Sequence, residues 1–177
     1  MIRRHLQHIL FIPAAIAALA LAGCGGESKS TKSADGSSSA PAASQKAMPE
    51  PSREIVIEAN DQMKFDKTEF IVAPGETVKL TLKNVGTMPK FSMGHNVTIL
   101  KRGTNVEAFD AAASNAAAND YIPADQADRV IAHTPMTGGG ETVSIVFTAP
   151  TVRASYDYLC TFPGHLQAGM HGVMKVQ

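Results

Sequence analysis

Apolar and polar residues alternate with a period of two in several short stretches of the chain. Ile55 and Ile57 alternate with Glu54, Val56 and Glu58, and Val78, Leu80 and Leu82 alternate with Thr77, Lys79, Thr81 and Lys83. Val143, Ile145 and Phe147 repeat the pattern, and Val173 with Lys175 and Val176 predicts a closing edge strand. Successive side chains of a strand point to opposite faces, so this alternation predicts half-buried strands. Turn signals separate them: Pro74-Gly75, Asn84 to Pro89, Gly138-Gly139-Gly140 and Pro150. Many short strands punctuated in this way predict an all-β sandwich or barrel. Residues 105 to 119 break the pattern, being Ala-rich with Val106 and Phe109 at helical spacing. They predict one short helical insertion, followed by a loop through Pro123.

The N-terminal residues read differently. Arg3 and Arg4 make a basic start, residues 9 to 22 are almost wholly apolar, and Leu21-Ala22-Gly23-Cys24 follows. Fourteen apolar residues are short for a membrane span, which needs roughly 20. The tetrapeptide resembles the bacterial lipobox, in which the Cys is acylated and becomes the first residue of the mature chain. Residues 1–23 are thus expected to be a lipoprotein signal peptide, removed before the protein acts. Gly25, where retention at the inner membrane would want Asp, favours the outer membrane over the inner. Residues 24–52 comprise the lipidated Cys24 and a Ser/Ala-rich stretch with no apolar periodicity, expected to be a flexible tether. Residues 53–177 match the size of one ordinary domain with a single core.

Loss of Arg3 and Arg4 leaves 14 basic against 16 acidic residues, a balance that argues against a nucleic-acid partner. With Cys24 lipidated, Cys160 is the one remaining thiol, and no intramolecular disulfide can form. An unpaired thiol in an exported protein calls for a chemical role, and metal ligation supplies one.

The segment Cys160-Thr161-Phe162-Pro163-Gly164-His165-Leu166-Gln167-Ala168-Gly169-Met170 supplies a thiol, an imidazole and a thioether. One Cys, two His and a weak, long axial Met make an electron-transfer copper centre. The second imidazole must come from elsewhere, and His95, in the strand-like stretch of residues 92 to 100, is the candidate. Pro163 and Gly164 predict a turn that brings His165 back over the metal held by Cys160. His171 follows Met170 directly and would point the opposite way on a strand, and His133 has no partner nearby in sequence, so both read as structural or surface residues. Met63, Met88, Met93, Met136 and Met174 are scattered, without Met-x-x-Met clusters, and read as packing or surface-patch residues.

The chain resembles the azurins. The matching residues are Asn60-Asp61-Gln62-Met63-Lys64-Phe65, Met93-Gly94-His95-Asn96, Asp120-Tyr121, Arg129-Val130-Ile131-Ala132-His133-Thr134 and Cys160 to His165, in order over nearly all of residues 53 to 177. The resemblance implies a cupredoxin fold, a Greek-key β-sandwich with one helix outside it, and one type 1 copper. It implies His95, Cys160 and His165 as equatorial ligands, Met170 as the axial ligand and the Gly94 carbonyl opposite. It further implies that Asn96 ties the two ligand-bearing loops together and that the backbone N–H of Phe162 lies near the sulfur. Azurins carry a disulfide that this chain lacks, and one residue fewer between the second His and the Met. The longer loop here is similar to that of auracyanins, membrane-associated relatives.

The function expected on these grounds is one-electron transfer by a lipid-anchored monomer outside the cytoplasmic membrane, with no catalysis of its own. Electrons would pass through a partly exposed edge of His165, surrounded by an apolar patch for which Met63, Met93, Pro163 and Leu166 are candidates. The resemblance implies c-type cytochromes, oxidases or copper nitrite reductase as redox partners. The alternative is a copper-delivery protein that binds the metal without redox cycling.

Overall fold

The computed structural model describes residues 50–177. The chain runs through β1 (Arg53–Asn60), β2 (Lys64–Phe65), β3 (Glu69–Val72), β4 (Thr77–Asn84), a single helical turn α1 (Lys90–Met93) and β5 (Thr98–Leu100). It continues through α2 (Val106–Ala113), two 3₁₀ turns at Ala117–Asn119 and Ala124–Arg129, then β6 (Val130–His133), β7 (Thr142–Thr148), β8 (Ala154–Leu159) and β9 (His171–Val176). The strands form two sheets, in the orders β2-β1-β4-β7 and β3-β9-β8-β5-β6. This is the expected cupredoxin sandwich.

The alternation in the sequence sets which face is buried. In β4, Val78, Leu80 and Leu82 are fully buried, while Lys79 and Lys83 extend to ion pairs with Glu54 and Glu58 on β1. β1 runs parallel to β4 with Ile57 opposite Leu82. From the other sheet Val72, Tyr158, Met174 and Val176 complete the same apolar core. Each such side chain contributes roughly 1.5–3 kcal/mol on full burial, so the core outweighs any single surface pair. Tyr158 is the largest fully buried side chain; its ring lies 5.4 Å from Phe70 and its hydroxyl donates to the Lys67 carbonyl at 2.6 Å.

Three details differ from the sequence reading. β9 is an interior strand, hydrogen-bonded to both β3 and β8, and not a closing edge. Period two shows which face of a strand is buried and says nothing about its lateral neighbours. The helical region of residues 105 to 119 contracts to eight helical residues, capped by the Asn105 side chain, which accepts from Ala108 N–H at 2.8 Å. The stretch 92 to 100 is strand only at its end: α1 occupies its first two residues, and His95 makes an isolated bridge to Thr137 outside the named strands.

Candidate metal centre

The Cys160–Met170 loop leaves the end of β8 and returns at the start of β9. Its ends are tied by the Cys160 N–H donating to the Met170 carbonyl at 3.1 Å. Within it, His165 N–H donates to Phe162 O at 3.1 Å and Met170 N–H to His165 O at 2.9 Å. Gly164 has φ +86°, a conformation open to glycine at little cost, and this turn presents His165 inward.

The second segment arrives from the opposite side. His95 N–H donates to Thr137 O at 3.0 Å, and the His95 carbonyl accepts from the N–H and hydroxyl of Thr137 at 2.8 and 2.9 Å. Gly94 permits this path, because a Cβ there would lie 2.6 Å from the Lys90 carbonyl oxygen and 2.9 Å from Met136. The fully buried Asn96 joins the two segments: its Oδ1 accepts from Thr161 N–H at 2.9 Å, and its Nδ2 donates to Thr161 Oγ1 at 2.8 Å and to the Asp120 carbonyl at 3.2 Å.

This brings together three of the four candidate ligands. Ligand atoms of His95, Cys160 and His165 lie within 4.8 Å of one another, and all three residues are buried. Cys160 Sγ is 3.3 Å from His165 Nδ1, 3.9 Å from His95 Nδ1 and 3.8 Å from the Gly94 carbonyl. Met170 is fully buried at the closing end of the loop. His133 and His171 are exposed and stand outside the cluster. His165 is only 2 % exposed, so the partly open edge expected of it is almost covered; the Phe162 ring stacks 4.8 Å from it.

The electrostatics suit a metal. Burial pushes the Cys160 thiol up to about 12, against backbone N–H groups of Asn96 and Phe162 that favour the thiolate. Burial, with the neighbouring His95, pushes His165 down to about 4. Burial lowers His95 as well, against the Asn60 carbonyl and the Asp61 carboxylate. Both rings are therefore neutral at pH 7, with lone pairs available. A soft sulfur and two neutral imidazoles, dry and converging, fit copper, which would displace the thiol proton on binding.

A family model described as copper-binding proteins of the plastocyanin/azurin family matches residues 52–177. The chain belongs to that family. Copper is the cofactor of this cupredoxin. It is 40% identical over 125 residues to azurin-1 of Alcaligenes xylosoxydans xylosoxydans, covering 69% of this chain and 95% of that protein. It is 40% identical over 111 residues to outer membrane protein H.8 of Neisseria meningitidis serogroup B, covering 62% of this chain and 60% of that one. Among solved structures it resembles a dithionite-reduced auracyanin from Roseiflexus castenholzii, with a TM-score of 0.63 and 40% identity over 72% of this chain and 99% of that one.

Two features of this cupredoxin were missed in the sequence. Asp120 and Tyr121 have φ of +49° and +59°, costly for residues with a side chain; Asn96 Nδ2 and Met136 N–H donate to Asp120, and Tyr121 N–H donates to the Ala116 carbonyl. The result is a stack in which Tyr121 lies 5.2 Å from Phe162, which in turn packs on His165. Phe91, on α1, is 84 % exposed, and Met88 just before it is also exposed. Of the apolar-patch candidates, Pro163 is exposed, while Met63, Met93 and Leu166 are half-buried. No helix among the described residues is long and apolar enough to cross a membrane. Residues 1–23, Cys24 and most of the tether lie outside the described residues.

Proposed function

We propose that this cupredoxin is a one-electron carrier in which His95, Cys160, His165 and Met170 would hold a single type 1 copper. The observation that carries this reading is the convergence of three buried donors from two braced segments. Copper bound there supplies a one-electron couple. The residues around it supply rigidity: Asn96, Thr137 and the closed loop resist rearrangement when charge changes, which keeps transfer fast. Of the three converging ligands, His165 alone retains any solvent-facing surface, so electrons enter and leave beside it. Phe91, Met88 and Pro163 add exposed apolar surface suited to brief docking of a c-type cytochrome, an oxidase or a copper nitrite reductase. A delivery protein needs ligands that an acceptor can reach; the covering of all three here favours the carrier.

The chain is further read as an exported lipoprotein, acylated at Cys24 and tethered by residues 24–52 on the outer membrane, facing the periplasm. The likeness to a protein named for the outer membrane supports this reading.

Copper(II) added to the domain expressed without residues 1–24 is expected to give an intense blue absorption and the narrow EPR splitting of a type 1 site. A pale adduct with ordinary tetragonal EPR parameters overturns the assignment. For the anchor, Cys24→Ser is expected to release the exported protein from the membrane fraction; retention after a carbonate wash overturns the lipoprotein reading.

A further inference from the structure

The apolar stripe of α2 contains a carboxylate. Val106, Phe109, Asp110 and Ala113 stand at i, i+3, i+4 and i+7, the spacing of one buried helix face. Phe109 packs with Leu100 and Leu159, flanked by Val106, Val130 and Leu166, so the surroundings of that face are apolar. Asp110 is 2 % exposed. Its Oδ2 accepts from Gln167 Nε2 at 2.9 Å, and its Oδ1 has no hydrogen-bond partner. No Lys, Arg or His forms an ion pair with it among the described residues. On its own helix Glu107 is exposed. From the end of β8, the Cys160 thiol feels its charge.

We propose that Asp110 is a proton-binding site linked to the copper centre, coupled to the ligand loop through Gln167 and filled when the metal is reduced. This rests on the electron-transfer reading above. Gln167 lies between His165 and Met170, so the carboxyl is fastened to the loop that carries three of the proposed ligands. A buried carboxylate without a cation is costly, and burial favours its neutral form against the opposing amide of Gln167. Reduction of copper held by that loop would remove one positive charge and so raise the proton affinity of a carboxylate fastened to the same loop; by linkage, a bound proton favours the reduced state. Each electron accepted from a one-electron donor is then matched by one solvent proton taken up at the carboxylate, and both leave on oxidation. Protonation also reverses the hydrogen bond. The carboxylate accepts from the Gln167 amide N–H, whereas the acid can donate to the amide oxygen once that group turns over.

The test is the reduction potential of the copper-loaded chain as a function of pH, with an infrared difference spectrum between the two redox states. The potential is expected to fall through a single-proton step as pH rises, and a protonated-carboxyl band is expected on reduction. Asp110→Asn should abolish both the step and the band. Gln167→Leu removes the donor that favours the charged form, so it should move the step to higher pH. Gln167 is exposed, and this variant remains informative if Asp110→Asn folds poorly. A reversible wave that is flat in pH, or a step and band that survive Asp110→Asn, overturns the proposal alone. A protein with no reversible one-electron wave overturns the carrier reading along with it.

Discussion

Cys160, His165 and Met170 occupy one loop whose ends are tied by its own backbone, whereas His95 reaches the same point from 65 residues before Cys160, through a two-residue bridge to Thr137. The loop half is local: its geometry follows from a turn at Gly164 and from strands β8 and β9 on either side. The His95 half is wholly tertiary, and Asn96 is the strut between the two. A site divided in this way separates the metal's affinity from the rigidity of its frame, because the ligands act through side chains whereas the braces are backbone bonds and the side chains of Asn96 and Thr137.

The largest effect should come from removing the anchor of the loop half. Cys160→Ser is expected to abolish the blue absorption completely and to leave the far-ultraviolet circular dichroism of the domain unchanged, since it exchanges one buried atom of the core and touches no strand pairing. Cutting the strut comes next. Asn96→Ala leaves the buried Thr161 N–H without its acceptor and should cost about 1–3 kcal/mol in urea unfolding of the apoprotein. If its cost proves as small as that of a surface change, the two halves are held independently and the comparison fails.

Acid should weaken the apoprotein through both imidazoles. His165 titrates at about 4 in the folded chain and near 6.5 when unfolded, so between those values the unfolded chain binds more protons. Apoprotein stability is therefore expected to fall as pH drops from about 6.5 towards 4, read as a falling urea midpoint. His95 adds to the trend in the same direction. Phe91→Ser should have the smallest effect, within about 0.5 kcal/mol and without spectral change, because the ring is exposed and touches no ligand. Its expected consequence is slower reaction with a protein redox partner and an unaltered rate with a small inorganic oxidant.

The same division explains what could be read in the sequence. The period-two runs of β1, β4 and β7 and the Cys160–Met170 segment are local patterns, and both were legible. The lateral position of β9 was not, since β3 and β8 find it across the fold. α1 was hidden because Lys90-Phe91-Ser92-Met93 is too short to show a helical period. Asp110 carried a signal that went unread: an acidic residue at i+4 from Val106 in the stripe that Phe109 and Ala113 continue. Asp120 and Tyr121 were legible as part of the resemblance but not as a left-handed pair, because the braces on Asp120 come from Asn96 and Met136, distant in sequence.

The burial of Cys160 governs how the empty protein ages. A thiol reacts with oxidants and disulfides through its thiolate, and with a pKa of about 12 only on the order of one molecule in 10⁵ is ionised at pH 7. With the side chain fully covered, cross-linking between two copies is suppressed twice over, by charge state and by access. The same covering separates the three ligands from incoming metal. Loading is therefore expected to need a local opening that uncovers these buried ligands, read as an uptake rate that levels off as copper concentration rises.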